Sequence, residues 1–127
     1  MTVRLISKVT SSRVVDRPPK NEPSKGDVVY IRSALRNQVA QFGKPKGALV
    51  GHDYAVDTLL SATRAKVTVQ VTLPGGTVRV KGQVTRATSS GLLPVVGGTG
   101  TFVNARGTCS AQERKSYSIN IYHLRLP

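Results

Sequence analysis

Two runs of strict alternation lie back to back in the middle of the chain. Over residues 65–73, Ala65, Val67, Val69, Val71 and Leu73 fall on one side; over 77–85, Val78, Val80 and Val84 oppose Arg79, Lys81 and Gln83. Only Pro74, Gly75 and Gly76 separate them. A period of two marks a strand with one buried face, and a Pro-Gly-Gly break reverses the chain, so the pair forms a β-hairpin. A lone hairpin is marginal in water and needs more sheet to cover its apolar face.

The rest of the sequence supplies that sheet. In residues 2–10, Val3, Leu5 and Val9 alternate with Arg4 and Lys8; in 27–37, Val29, Ile31, Ser33 and Leu35 face away from Tyr30 and Arg32. Residues 48–60 set Val50, His52, Tyr54 and Val56 against Asp53, Ala55 and Asp57. Further strands are expected over 92–96 and 101–109, and over 115–126, where Tyr117, Ile119 and Ile121 alternate with Ser118, Asn120 and Tyr122. Breaks fall at a Pro-rich loop (16–26), at 41–47, at 88–91 and at Gly97-Gly98-Thr99-Gly100. No amphipathic helix is evident. About eight short strands with regular turns predict an antiparallel sandwich or barrel; closure removes sheet edges, and eight strands can enclose one small ligand.

With 127 residues the chain has material for one domain. Its single Cys excludes a disulfide framework and a Cys-rich zinc site. No run reaches the roughly 20 apolar residues of a membrane helix, and residues 1–8 lack a secretory h-region, so no membrane association and a cytoplasmic location are expected.

The chain carries 19 Lys and Arg against 6 Asp and Glu, a net charge of +13. Ten of the cations lie in residues 1–50 and nine in 51–127, with three acids in each half, so there is no basic tail. Such a field attracts anions without specifying one. Stacking surfaces for bases need exposed aromatics, and only four Tyr and two Phe are present; nucleic acid is not the expected ligand.

The glycine cluster at 97–100 lacks the Gly-Lys-Ser/Thr ending of a phosphate loop and the spacing of a dinucleotide fingerprint, and its flanks look like strands; a structural turn is the expectation. Cys109 has no partner for redox chemistry, and the two imidazoles, His52 and His123, are not spaced as a metal pair, so no metal site is expected. Asp53 and Asp57 share one face of their strand, about 13 Å apart in regular geometry, too far for a glycosidase-type pair. One of them acting singly as acid, base or anchor is possible chemistry; a rim ion pair is the plainer use. Arg106 has the same two uses.

The ordered motifs resemble the dirigent protein and allene oxide cyclase barrel superfamily. They are Gly26-Asp27, Leu35, Gly43-Lys-Pro-Lys-Gly47, Val50-Gly51, the run from Leu73 to Gly82, the run from Val96 to Gly107, and Tyr117-Ser-Ile-Asn-Ile121. The resemblance covers residue 26 to the C-terminus, and its most specific part is Gly-Gly-Thr-Gly-x-Phe-x-x-Ala-Arg-Gly. It implies an eight-stranded antiparallel barrel with an apolar cavity, no cofactor, and a homo-oligomer, dimer or trimer. It also implies a small hydrophobic or amphipathic organic substrate whose cyclisation or coupling the cavity guides, an enzyme of the isomerase type. Residues 2–11 lack an acid, Thr101 stands where plant members carry one, and no glycosylation sequon is present, so a bacterial-type cyclase is expected rather than plant lignan coupling.

Three residues are expected to carry chemistry: Arg106, Asp57 and Tyr30. His52, Tyr54, Arg86, Phe102, Tyr122, Val69 and Ile119 are expected to contact the ligand. A non-catalytic barrel for a hydrophobic ligand is the first alternative, and a basic module for nucleic acid or another polyanion the second.

Overall fold

The computed structural model describes residues 1–16, 24–85 and 92–127. Eight strands follow one another: β1 (Thr2–Val15), β2 (Val28–Asn37), β3 (Leu49–Leu59), β4 (Arg64–Leu73), β5 (Gly76–Thr85), β6 (Leu92–Gly100), β7 (Arg106–Glu113) and β8 (Ser118–Arg125). Each pairs antiparallel with its successor, and β1 pairs with β8 to close the barrel. The expected fold class is therefore observed. The hairpin 65–85 forms with Val69 opposite Val80 and Val71 opposite Val78.

Several strand boundaries differ from expectation. β1 runs five residues further, through Ser12 and Arg13, because a bulge between Val9 and Ser11 lets it keep pairing with β2. β6 continues through Gly97-Gly98-Thr99-Gly100, which pairs with β5 from Arg79 back to Gly76, and the turn falls on residues 101–104 instead. The glycines there serve close approach more than turning. A Cβ on Gly98 would strike the carbonyl oxygens of Phe102 and Thr77, whereas only Gly100 of this cluster adopts a positive φ, 61°. The Pro-rich loop lies largely outside the described residues, as do 86–91.

The two ends of the barrel differ. At one end the β2–β3, β4–β5 and β6–β7 connections converge on an apolar plug. Phe102 and Ala105 are fully buried there in one cluster with Leu5, Leu35, Val71, Val78 and Leu124, and Phe42 and Leu126 pack against it. Asn37, also fully buried, donates through Nδ2 towards the carbonyls of Gln41 (2.9 Å), Lys44 (3.2 Å) and Pro45 (3.3 Å), holding the β2–β3 loop over that end. Among the described residues the opposite end, at the β7–β8 turn, is open.

Because those three carbonyls lose a buried donor together, Asn37→Ala is expected to destabilise the protein by about 2 kcal/mol. Thermal unfolding would read this as a fall in Tm of roughly 8 °C; an unchanged Tm would show that the loop closes the barrel without the clamp.

Candidate functional site

Inside the open end is a cavity of about 480 Å³. Volumes of this order suit small organic ligands. Its wall is the inward set of alternate residues: Ser7 on β1, Ile31 and Ser33 on β2, Asp53 and Ala55 on β3, Val69 on β4, Val80 on β5, Leu93 on β6, Cys109 and Ala111 on β7, and Ser118, Asn120 and Tyr122 on β8. The rim adds Glu113, Arg114 and Lys115 from the β7–β8 turn. Aliphatic side chains thus line β4 to β6, and polar ones line β8 and its neighbours.

The polar groups meet at depth. Asp53 sits opposite Ser33 on one side and Val71 on the other, and only 6% of its surface is exposed. Burial pushes its carboxyl up to about 6, although a hydrogen bond from Ser33 and the neighbouring His52 charge pull it back. Cys109 is directly opposite Tyr122 across β7 and β8. Burial pushes the Cys109 thiol up to about 11, so it is a neutral thiol and not a thiolate nucleophile at physiological pH. Burial likewise holds the Tyr122 phenol well above its ordinary range; it remains an O–H donor, sharing hydrogen bonds with Cys109 and Asn120. The hydroxyl of Ser118 donates to Asn120 Oδ1 at 2.8 Å. The result is a carboxyl, a phenol and a thiol under one apolar roof.

The structure distributes the expected site residues unevenly. Val69 and Tyr122 line the cavity. Asp57 points inward too, opposite Val29 and Val67 and nearer the mouth, but is not part of the cavity wall; burial raises its carboxyl, and its Oδ1 is buried without a hydrogen bond. Phe102 belongs to the plug at the closed end.

Tyr30, His52, Tyr54 and Ile119 occupy the outward alternate positions and do not face the cavity. Tyr30 and Tyr54 are covered from outside by Arg13 and Arg32, at 5.0 and 4.5 Å from their ring centroids. Arg106 is also exposed on the outer face, its guanidinium on the carbonyl of Ala105 at 2.8 Å. Arg86 lies outside the described residues. Among the described residues no cluster of three or more potential metal ligands occurs.

Sequence reasoning missed Asp53 as the cavity acid and the group Ser33, Cys109 and Asn120 around it. The signal was present in β2, where Ser33 shares a face with Ile31 and Leu35, since its partner in β3 is then Asp53 and not His52.

A family model described as dirigent-like protein matches residues 3–125. The chain belongs to that family. Comparison with curated proteins gives no match. Among solved structures, this dirigent-like barrel is similar to a pyocyanin demethylase (18% identity, TM-score 0.82), with 98% of this chain and 100% of that one aligned. It is also similar to a pterocarpan synthase dirigent protein, GePTS1 (20% identity, TM-score 0.70, 98% of this chain and 82% of that one). A third similar structure is AbnU, an exo-specific intermolecular Diels-Alderase (13% identity, TM-score 0.75, 98% and 96%). At such identities the likeness is one of fold.

A raised carboxyl makes the dirigent-like barrel's stability depend on pH. Asp53 binds its proton more tightly folded than unfolded, so its contribution is most favourable below its ordinary 3.8 and is lost as pH rises through about 6. The shift corresponds to about 3 kcal/mol. D53N is therefore expected to raise Tm at pH 8 and to leave it nearly unchanged at pH 4, a difference that paired thermal melts would measure.

Proposed function

We propose that the protein binds a small organic substrate in the barrel cavity and guides a ring-forming or coupling reaction of it. The observation that carries this is the group of Asp53, Tyr122 and Cys109 at the bottom of a one-ended cavity whose β4 to β6 wall is aliphatic. A barrel serving only to store a hydrophobic ligand has no use for a buried carboxyl and phenol, whereas a barrel that orients a reactive molecule does.

Catalysis of this kind is mainly conformational. A flexible substrate loses its competing conformers when the walls at Ile31, Val69, Val80 and Leu93 fix its chain, and the reacting atoms are held near contact. Well-oriented intramolecular reactions gain effective molarities worth roughly 7–11 kcal/mol of barrier. Tyr122 donates a hydrogen bond to a substrate oxygen, and Asp53 stabilises positive charge that develops beside it. The similar barrels of the pterocarpan synthase dirigent protein and of the Diels-Alderase AbnU support this reading.

The test uses a linear substrate carrying a conjugated diene and an enone, which closes slowly by itself. Protein is expected to accelerate closure and shift the diastereomer ratio, and Val69→Trp, which fills the cavity, to restore the spontaneous ratio. Tyr122→Phe is expected to slow closure about tenfold while leaving the fold intact by circular dichroism, consistent with one neutral hydrogen bond worth about 1 kcal/mol or slightly more. A product ratio equal to that in buffer across a panel of such substrates would remove the cyclisation reading.

A further inference from the structure

The six acids of this basic protein are not spread like its bases. Asp53, Asp57 and Glu113 all occupy inward strand positions, and Asp27 is buried against the β1–β2 turn, where Ser24 donates to it from its backbone N–H (3.0 Å) and its hydroxyl (3.2 Å). Among the described residues no Lys or Arg occupies an inward strand position; those of the hairpin, Lys66, Arg79 and Lys81, all face out. The barrel is a cationic shell around an anionic interior.

Asp53 is the acid most affected. The groups facing it are Ser33 on β2, Val71 on β4, and the neutral Cys109 and Tyr122 on β7 and β8. His52, its neighbour on β3, points out of the barrel. Among the described residues, none of the inward strand groups is a counter-ion. A carboxylate in such a place is disfavoured unless something brings it a charge or a strong donor, and an apolar guest would leave it desolvated and unpaired.

Resting on the cavity being the binding site, we propose that its ligand is an apolar ring system bearing a cationic nitrogen, an ammonium, an iminium or an N-alkylated heteroaromatic, seated against Asp53. With its carboxyl pushed up only to about 6, Asp53 is predominantly ionised at pH 7.5, so the anion is available. The rim cations Lys8, Arg114 and Lys115 are exposed, Glu113 stands among them, and the Arg114 guanidinium also contacts Gln112 Oε1 at 3.2 Å. Their repulsion of an incoming cation is screened within about 8 Å at physiological salt, whereas the buried pair is screened far less.

Three probes of one shape separate the possibilities: 10-methylacridinium (cation), 9-methylanthracene (neutral) and anthracene-9-carboxylate (anion), titrated by fluorescence. At pH 7.5 the cation is expected to bind at least tenfold more tightly than the neutral probe. Its affinity should fall about tenfold by pH 5 as Asp53 takes a proton, with Asp57, whose carboxyl burial also raises, adding a smaller slope. D53N is expected to abolish the preference while changing the neutral probe's affinity less than threefold. Should D53N fold poorly, the pH profile of the unaltered protein carries the same decision. Neutral and cationic probes binding equally, the anion binding most tightly, or affinity for the cation rising towards pH 5 would each overturn the inference and leave the cavity standing. Failure of all three to bind in competition with Val69→Trp as control would overturn the cavity reading, and this inference with it.

Discussion

Everything in this molecule depends on the pairing of β1 with β8. Val3 opposite Tyr122, Leu5 opposite Asn120 and Ser7 opposite Ser118 join the first strand to the last and fix which alternate residues face inward all the way round. A slip of one residue at this seam would exchange inner and outer faces of the joining strands, exposing Leu5 and burying Arg4. Side-chain burial therefore locks the register far more firmly than the backbone bonds alone, and closure leaves no free sheet edge to pair with another chain.

Within that register the interior changes character from one end to the other. The plug is built of Phe102, Leu5, Leu35, Val71 and Leu124, large apolar side chains that fill space completely. Two rungs further towards the mouth the inward residues become smaller or polar, as in Ser7, Ser33, Ala55, Cys109, Ala111 and Ser118, and the space they leave is the cavity. The cavity is thus made by residue size along the strands, without any special loop. The same alternation decides where the charge sits. An outer face that only has to be wet accepts cations at alternate positions, whereas Asp53, Asp57 and Glu113 take inward positions and Asp27 is held at the β1–β2 turn.

Much of this was legible in the sequence. Clean alternation identified the β4–β5 hairpin almost to the residue, because the inward set there is Val and Leu apart from Ala65 and glycines such as Gly82, and the outward set is uniformly polar or charged. The same rule failed in β8. Ile119 and Ile121 are more apolar than Ser118 and Asn120, yet they point outward, with Ile119 paired to Ile6 on the barrel exterior. Hydrophobicity identifies the face that meets a packed core; a face lining a cavity is free to be polar, and its periodic signal inverts. The same inversion in β3 made Tyr54 look like a cavity residue, whereas Tyr30 lies on the outer side that the alternation of β2 already gave it. Their rings are instead half-buried under Arg13 and Arg32 on the outer wall, where amphipathic side chains cover one another. Family resemblance carried Arg106 to the site by motif, but motif position says nothing of which way a strand residue faces.

The inward acid is where the chain departs most from what stability alone would choose. Valine at position 53 would complete the aliphatic wall begun by Val69, Val71 and Val80 and remove a desolvated carboxyl, at the loss of its hydrogen bond with Ser33. The fold tolerates a destabilising group because the rest of the barrel is consistent: closed, plugged, and cleanly alternating. Sites where local choice contradicts global stability are where function is to be sought. By that criterion the candidate functional centre of this barrel is the Asp53, Tyr122 and Cys109 group at the bottom of the cavity, while the aromatic and cationic residues of the outer wall fit a polar surface over eight strands.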